Sequence, residues 1–175
     1  AQNQEIKTIL EKHGNTVLEQ VTLAQAYQGM RGITGLVTET SLLDANEGIR
    51  FRGFSIPELR EKLPKAEGGK EPLPEGLFYL MLMGEIPSEA DVDHISATWA
   101  RRSHVPTHVF QVIEALPVST HPMTQFSAAI LALQTESKFA KAYEEGMSKK
   151  QYWEFVYEDS MTLIARLPRV AAYIY

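Results

Sequence analysis

The segment from Gln125 to Leu133 constrains this chain more than any other. It reads Phe126, Ala128, Ala129, Ile130, Leu131, Ala132 and Leu133, apolar nearly all the way round a helix. A helix of that kind needs cover on every side, because no face of it is polar enough to meet water. Two arrangements would supply the cover. The helix is either the centre of the chain's own core or part of an interface with a second subunit, and the sequence leaves both open.

The pattern elsewhere makes the fold class mainly α, after an irregular start. Residues 3 to 13 read as a helix, with Ile6, Ile9 and Leu10 on one face and Gly14 as its stop. Leu36 to Leu43 is rich in Val, Thr and Leu, and Asp44 to Gly48 has turn chemistry. Ile49-Arg50-Phe51-Arg52 then alternates apolar and charged, which predicts a small β hairpin near residues 36–53. On that strand Arg50 and Arg52 would project together, opposite Ile49 and Phe51, as solvated charges. Ser55 and Pro57 open a short helix that turns Leu59 and Leu63 inward and stops at Pro64. Residues 64 to 74 form a surface loop.

Helices dominate from there on. Glu75 to Met83 is closed by Gly84, and Ser88 with Asp91 has the spacing of a capping box ahead of Val92, Ile95 and Trp99. Pro106 begins a helix with Val109, Val112, Ile113 and Leu116 inward. Others follow Pro122, cover Glu136 to Glu145, and run from about Lys149 to Leu167. The last places Trp153, Val156, Tyr157, Ser160, Met161 and Ile164 on one face. Pro168 is expected to start a new helix carrying Val170, Tyr173, Ile174 and Tyr175, too short to persist unsupported in water. The chain is therefore expected to be truncated at its C-terminal end, and Ala1-Gln2-Asn3-Gln4 reads as a processed or trimmed start.

Composition narrows the function classes. A net charge of −5 argues against a nucleic-acid partner, which needs a basic face to displace counterions from phosphate. It leaves room for an anionic small molecule held by a few cleft arginines. With no cysteine there is no thiolate metal site, disulfide or thiol nucleophile. The longest apolar run, Leu77 to Met83, is too short to span a bilayer.

No residue set makes a catalytic or metal centre. His104 and His108 are four apart, but Pro106 marks a helix start between them, and no carboxylate pattern accompanies them. His121 stands at a helix entrance and reads as structural, and His13 and His94 have no partner nucleophile. Gly29-Met30-Arg31-Gly32-Ile33-Thr34-Gly35 is neither a Walker loop nor a dinucleotide fingerprint. It is either an arginine on a backbone-exposing loop suited to phosphate or a set of positive-φ turns, and local mechanism favours the turns. Lys149 and Lys150 sit at the dipole-positive end of the long helix, awkward for cations; they either serve an anionic ligand or, as an exposed lysine pair usually is, are simply solvated.

Taken in order, several motifs form a pattern. They are Tyr27-Gln28-Gly29-Met30-Arg31-Gly32, Gly35-Leu36-Val37, Leu43-Asp44 and the stretch Glu47-Gly48-Ile49-Arg50-Phe51-Arg52-Gly53-Phe54-Ser55-Ile56-Pro57-Glu58. Leu63-Pro64-Lys65-Ala66, Glu71-Pro72-Leu73-Pro74-Glu75-Gly76-Leu77-Phe78, Gly84-Glu85-Ile86-Pro87, His121-Pro122-Met123 and Tyr152-Trp153-Glu154 follow. Together they closely resemble the N-terminal part of the citrate synthase family, in its eukaryotic mitochondrial type, over roughly His13 to Tyr175.

The resemblance implies residues 1–175 of a large helical domain, with the rest of that domain and a small domain missing. It implies an acyltransferase of the mitochondrial matrix that condenses acetyl-CoA with oxaloacetate and water to give citrate and CoA. The family works as a homodimer, and the helix at 125–133 would lie in the dimer interface. It uses no cofactor, acetyl-CoA being a substrate. Its two catalytic histidines, catalytic aspartate and oxaloacetate-binding arginines would follow Tyr175, so no catalytic residue is assigned here and the fragment alone is expected to be inactive. Arg31 matches a family position that contacts the CoA phosphates. Lys149 falls where animal members carry an arginine reaching CoA from the partner subunit, a change that keeps the charge and loses the guanidinium fork. The competing readings are 2-methylcitrate synthase, which uses propionyl-CoA, and a non-catalytic helical dimerisation scaffold.

Overall fold

The chain divides into two units, Ala1–Ser55 and Ile56–Tyr175, in a computed structural model that describes residues 2–35, 37 and 40–175. Leu36, Thr38 and Glu39, in the first half of the predicted hairpin, lie outside the described residues.

The first unit holds α1 (Gln2–His13), α2 (Leu23–Tyr27) and a three-stranded antiparallel sheet of β1 (Ser41–Asp44), β2 (Gly48–Phe51) and β3 (Phe54–Ser55), in that order. The β1–β2 register pairs Leu42 with Arg50 and Leu43 with Ile49. Asp44 sets that turn by accepting the N–H groups of Asn46 at 2.8 Å and Glu47 at 2.9 Å. Those two bonds, Glu47's foremost, hold its carboxyl below the usual aspartate value.

The hairpin gains a strand that the alternation did not predict, and Arg52 is the reason. Its φ is 48° and that of Gly53 is 86°, and two positive φ values in succession are what a type I′ hairpin turn requires. Arg52 therefore leaves the strand instead of sharing a face with Arg50. Arg50 is not simply solvated either: it donates to Glu47 Oε2 at 2.9 Å and to the Gly53 carbonyl at 2.8 Å. No described residue of this unit is buried, so local hydrogen bonds and turn geometry shape it, not a core.

The second unit is helical and has the core. Leu59, on α3 (Ile56–Lys62), and Leu63 behind it are buried. The loop that follows closes on itself through the Leu73 N–H on the Pro64 carbonyl at 3.0 Å and an Arg60–Glu71 ion pair at 2.6 Å. That returns the chain to α4 (Pro74–Met83), where buried Gly76 faces Leu63: a Cβ there would come within 3.4 Å of Leu63 Cδ2. Gly84, at φ 83°, ends α4 in the left-handed conformation.

The capping box forms as the spacing predicts. Ser88 accepts from Asp91 N–H, Asp91 accepts from Ser88 N–H, and α5 (Glu89–Arg102) buries Val92, Ile95 and Trp99. Then come α6 (Thr107–Glu114), α7 (Pro122–Ala132), a 3-10 turn (Leu133–Glu136), α8 (Lys138–Glu144), a second 3-10 turn (Lys149–Gln151) and α9 (Tyr152–Ile174). On α6 Val109 and Ile113 are buried, whereas Val112, expected inward, is exposed. The stretch read as one helix from Glu136 is split because Ser137 adopts an extended conformation and caps α8.

The spine of this unit is α9, and it runs through Pro168 without interruption. The expectation of a new helix there is corrected. Proline lacks the N–H that would bond the Ile164 carbonyl, a cost that ends many helices. Here packing on both sides of the proline outweighs it. Met161 and Ala165 join Ile95 and Trp99 in one cluster before it. After it, Val170 joins Val105, Val109, Ile113, Ala129 and Leu133 in another. A hydrogen bond from the Tyr173 hydroxyl to Glu114 ties the end of α9 to α6.

Candidate functional site

The Arg31 loop is built by short-range rules. Thr22 and Gln25 form a capping box at the start of α2. At its end Gly29 takes φ 74°, and the Met30 N–H reaches the Gln25 carbonyl at 2.9 Å, the long bond of a Schellman motif. Met30 itself has φ 61° and Gly32 φ 73°, so the positive-φ reading of the segment holds, although Gly35 is not part of it. The Thr34 N–H then bonds Glu19 Oε2 at 3.0 Å and closes the loop across fifteen positions. Arg31 stands exposed on it, and no described carboxylate pairs with it.

Lys149 belongs to the second unit. It is exposed in the 3-10 turn capped by Ser148, whose hydroxyl accepts the Lys150 N–H at 3.4 Å. Arg31 and Lys149 thus lie in separate units, and each is placed within its own.

Two of the histidines do structural work. His121 Nδ1 accepts the Met123 N–H at 3.1 Å and caps α7. His108 Nε2 lies 3.1 Å from the Ala132 carbonyl, linking α6 to the end of α7. His104 is outside the helix that holds His108. Among the described residues no group of three or more His, Cys, Asp or Glu could hold a metal ion.

The polar side chains that converge are likewise ties between helices. Arg102 grips Glu158 with two nitrogens, at 3.0 and 3.2 Å, and Lys138 reaches the same carboxylate at 3.1 Å. Those contacts, the Arg102 bonds first, hold the Glu158 carboxyl below its ordinary value. Asp159 accepts from Ser137 Oγ at 2.6 Å and from the N–H groups of Lys138 and Phe139 at 2.9 and 3.0 Å, fixing the N-terminus of α8 on α9. Sequence reading missed both networks, whose partners lie 20 to 56 positions apart.

In the helical unit, apolar surface stays open on α9 and on α7. Trp153, Val156 and Tyr157, which the periodicity placed on one face of α9, are exposed. They form one wall of a cavity of about 650 Å³, opposite Phe78, Leu82 and Met83 of α4. On α7 the complete cover expected is not present within the chain. Ala129 is fully buried and Leu133 nearly so, but Met123 and Leu131 are 62% and 75% exposed.

Residues 29–175 match the family described as "Citrate synthase, C-terminal domain". The chain belongs to the citrate synthase family. It is 57% identical to "Citrate synthase, mitochondrial" of Saccharomyces cerevisiae over all of this chain and 36% of that protein. It is 56% identical to "2-methylcitrate synthase, mitochondrial" of Yarrowia lipolytica over 98% of this chain and 37% of that one. The chain thus spans little more than a third of the length of the curated relatives it matches. The crystal structure of citrate synthase from Pyrobaculum aerophilum superposes with a TM-score of 0.66 at 24% identity, over 85% of this chain and 35% of that one, and supports the mainly helical fold.

Proposed function

We propose that this chain is the N-terminal part of the large domain of a citrate synthase that condenses acetyl-CoA with oxaloacetate and water. The observation that carries the reading is 57% identity, over all 175 residues, to a relative named mitochondrial citrate synthase. A mitochondrial location, in the matrix, goes with it, since the relatives are named mitochondrial. No cofactor is required, the acyl carrier being a substrate. The general acid–base chemistry would be supplied by residues following Tyr175, with closure of a small domain excluding water.

Within this chain the roles are binding and assembly. Arg31, exposed and unpaired among the described carboxylates, suits a CoA phosphate, to which a guanidinium offers a fork of donors. Lys149 offers a point charge to the same ligand from the second subunit of a homodimer. The exposed Leu131 and Met123 of α7 support an interface there, because apolar side chains so exposed on an otherwise apolar helix gain by meeting their own copy. Among the described residues no helix is long and apolar enough to cross a membrane.

The second reading, 2-methylcitrate synthase, is favoured by the Yarrowia lipolytica relative, at almost the same identity. Thiol release by the whole polypeptide, with oxaloacetate and either acetyl-CoA or propionyl-CoA, decides between them. A higher kcat/KM with acetyl-CoA supports the first reading, a higher one with propionyl-CoA the second, and release with neither overturns both.

A further inference from the structure

We propose that Glu19 is a positioning residue for Arg31, holding the loop on which that guanidinium meets the CoA phosphates. The inference rests on the reading of Arg31 given above and adds a residue that the resemblance did not single out.

The loop cannot take its shape from a core, because no described residue between 4 and 55 is buried. Its geometry depends on a few hydrogen bonds. On the α2 side the capping box and the Met30 N–H on the Gln25 carbonyl fix the chain up to Met30. Met30 and Gly32 flank Arg31 with φ values of 61° and 73°, a backbone that a non-glycine residue holds only when its surroundings insist. On the far side, the Thr34 N–H bonds Glu19 Oε2 at 3.0 Å and ties down the segment from Ile33 to Gly35. Glu19 is thus the second clamp. Without it the chain after Arg31 is free to swing, and ordering it again would be charged against ligand binding.

A clamp of this kind acts on phosphate binding and not on chemistry, which sets the test. In the whole enzyme, Glu19→Ala is expected to raise KM for acetyl-CoA about fivefold with kcat unchanged, the factor that one net hydrogen bond contributes to an equilibrium. kcat/KM for S-acetylpantetheine, which has no phosphates, should not move. Glu19→Gln keeps an accepting oxygen and should restore the KM. In an Arg31→Ala background, Glu19→Ala should add nothing, because the group it positions is gone. If Arg31→Ala raises KM and Glu19→Ala does not, the positioning role is refuted while the Arg31 reading stands. If Glu19→Ala has the same effect with and without Arg31, it acts by another route and the proposal fails. If Arg31→Ala leaves KM unchanged, the reading beneath both is overturned.

Discussion

The indole N–H of Trp99 points at the sulfur of Met161, 3.4 Å away, and joins α5 to α9 inside the core. Trp99 is also packed edge-on by Phe78, with ring centroids 5.3 Å apart, so three helices meet at this contact. A thioether is a weak acceptor, yet it is the one that keeps a buried indole donor from being orphaned.

Two substitutions separate packing from hydrogen bonding there. Met161→Ala should cost about 2–5 kcal/mol through the cavity it leaves. Met161→Leu preserves the volume but strands the indole N–H, and should cost about 1–3 kcal/mol. Urea unfolding followed by tryptophan fluorescence gives both values; a Leu variant as stable as the parent would show that the sulfur contact contributes nothing.

Pro168 makes the opposite test. Because α9 continues through it, Pro168→Ala adds an N–H for the Ile164 carbonyl and relieves the ring's clash with the preceding turn. The variant is expected to be more stable by about 1–3 kcal/mol. Were Pro168 the first residue of a separate helix, its fixed φ would be favourable and the same change would be neutral or harmful. Differential scanning calorimetry reads the sign directly.

That residue also marks where sequence reading reaches its limit. Signals that act over three or four residues were legible: the Ser88–Asp91 capping box, the stop at Gly84 and the burial of Val92, Ile95 and Trp99 all appear as the spacing implies. Pro168 was misjudged because its local preference is overruled by contacts of Val170 with residues 37 to 65 positions earlier. Trp153 and Val156 mark a related limit. Their periodicity shows that they share a face, but nothing local says whether another helix of the same chain lies against it. Arg31 was legible as part of a turn from its glycines, whereas its tie through Thr34 to Glu19 spans fifteen positions and has no local signature.

Glu158 gives the acid limb of stability a definite direction. Arg102 and Lys138 depress its carboxyl, so the folded chain binds that proton less tightly than the unfolded chain. Its contribution is complete above the unfolded glutamate value of about 4.3 and is lost as pH falls through the lower folded value. The side chain is 36% exposed, so solvent screens the effect. Glu158→Gln should lower stability near neutral pH and flatten the decline below about pH 4.5. Urea midpoints across that range test it, and an unchanged slope would show that Glu158 is not linked to folding.

The exposed stripe of α7 bears on assembly, and the structure decides which residue tests it. Ala129 is fully buried against the chain's own core, so a charge there would unfold the subunit and say nothing about a partner. Ala128 is half-buried and suffers in part from the same ambiguity. Leu131 does not, because it is 75% exposed within the chain and is apolar on a helix with little polar surface. In the whole protein, Leu131→Glu should leave the helical content by circular dichroism unchanged. If the proposed homodimer meets through α7, light scattering should fall from the mass of a dimer towards that of a monomer, since an unpaired carboxylate within an interface costs several kcal/mol. A dimer mass retained by a well-folded Leu131→Glu protein would place the subunit contact elsewhere than α7.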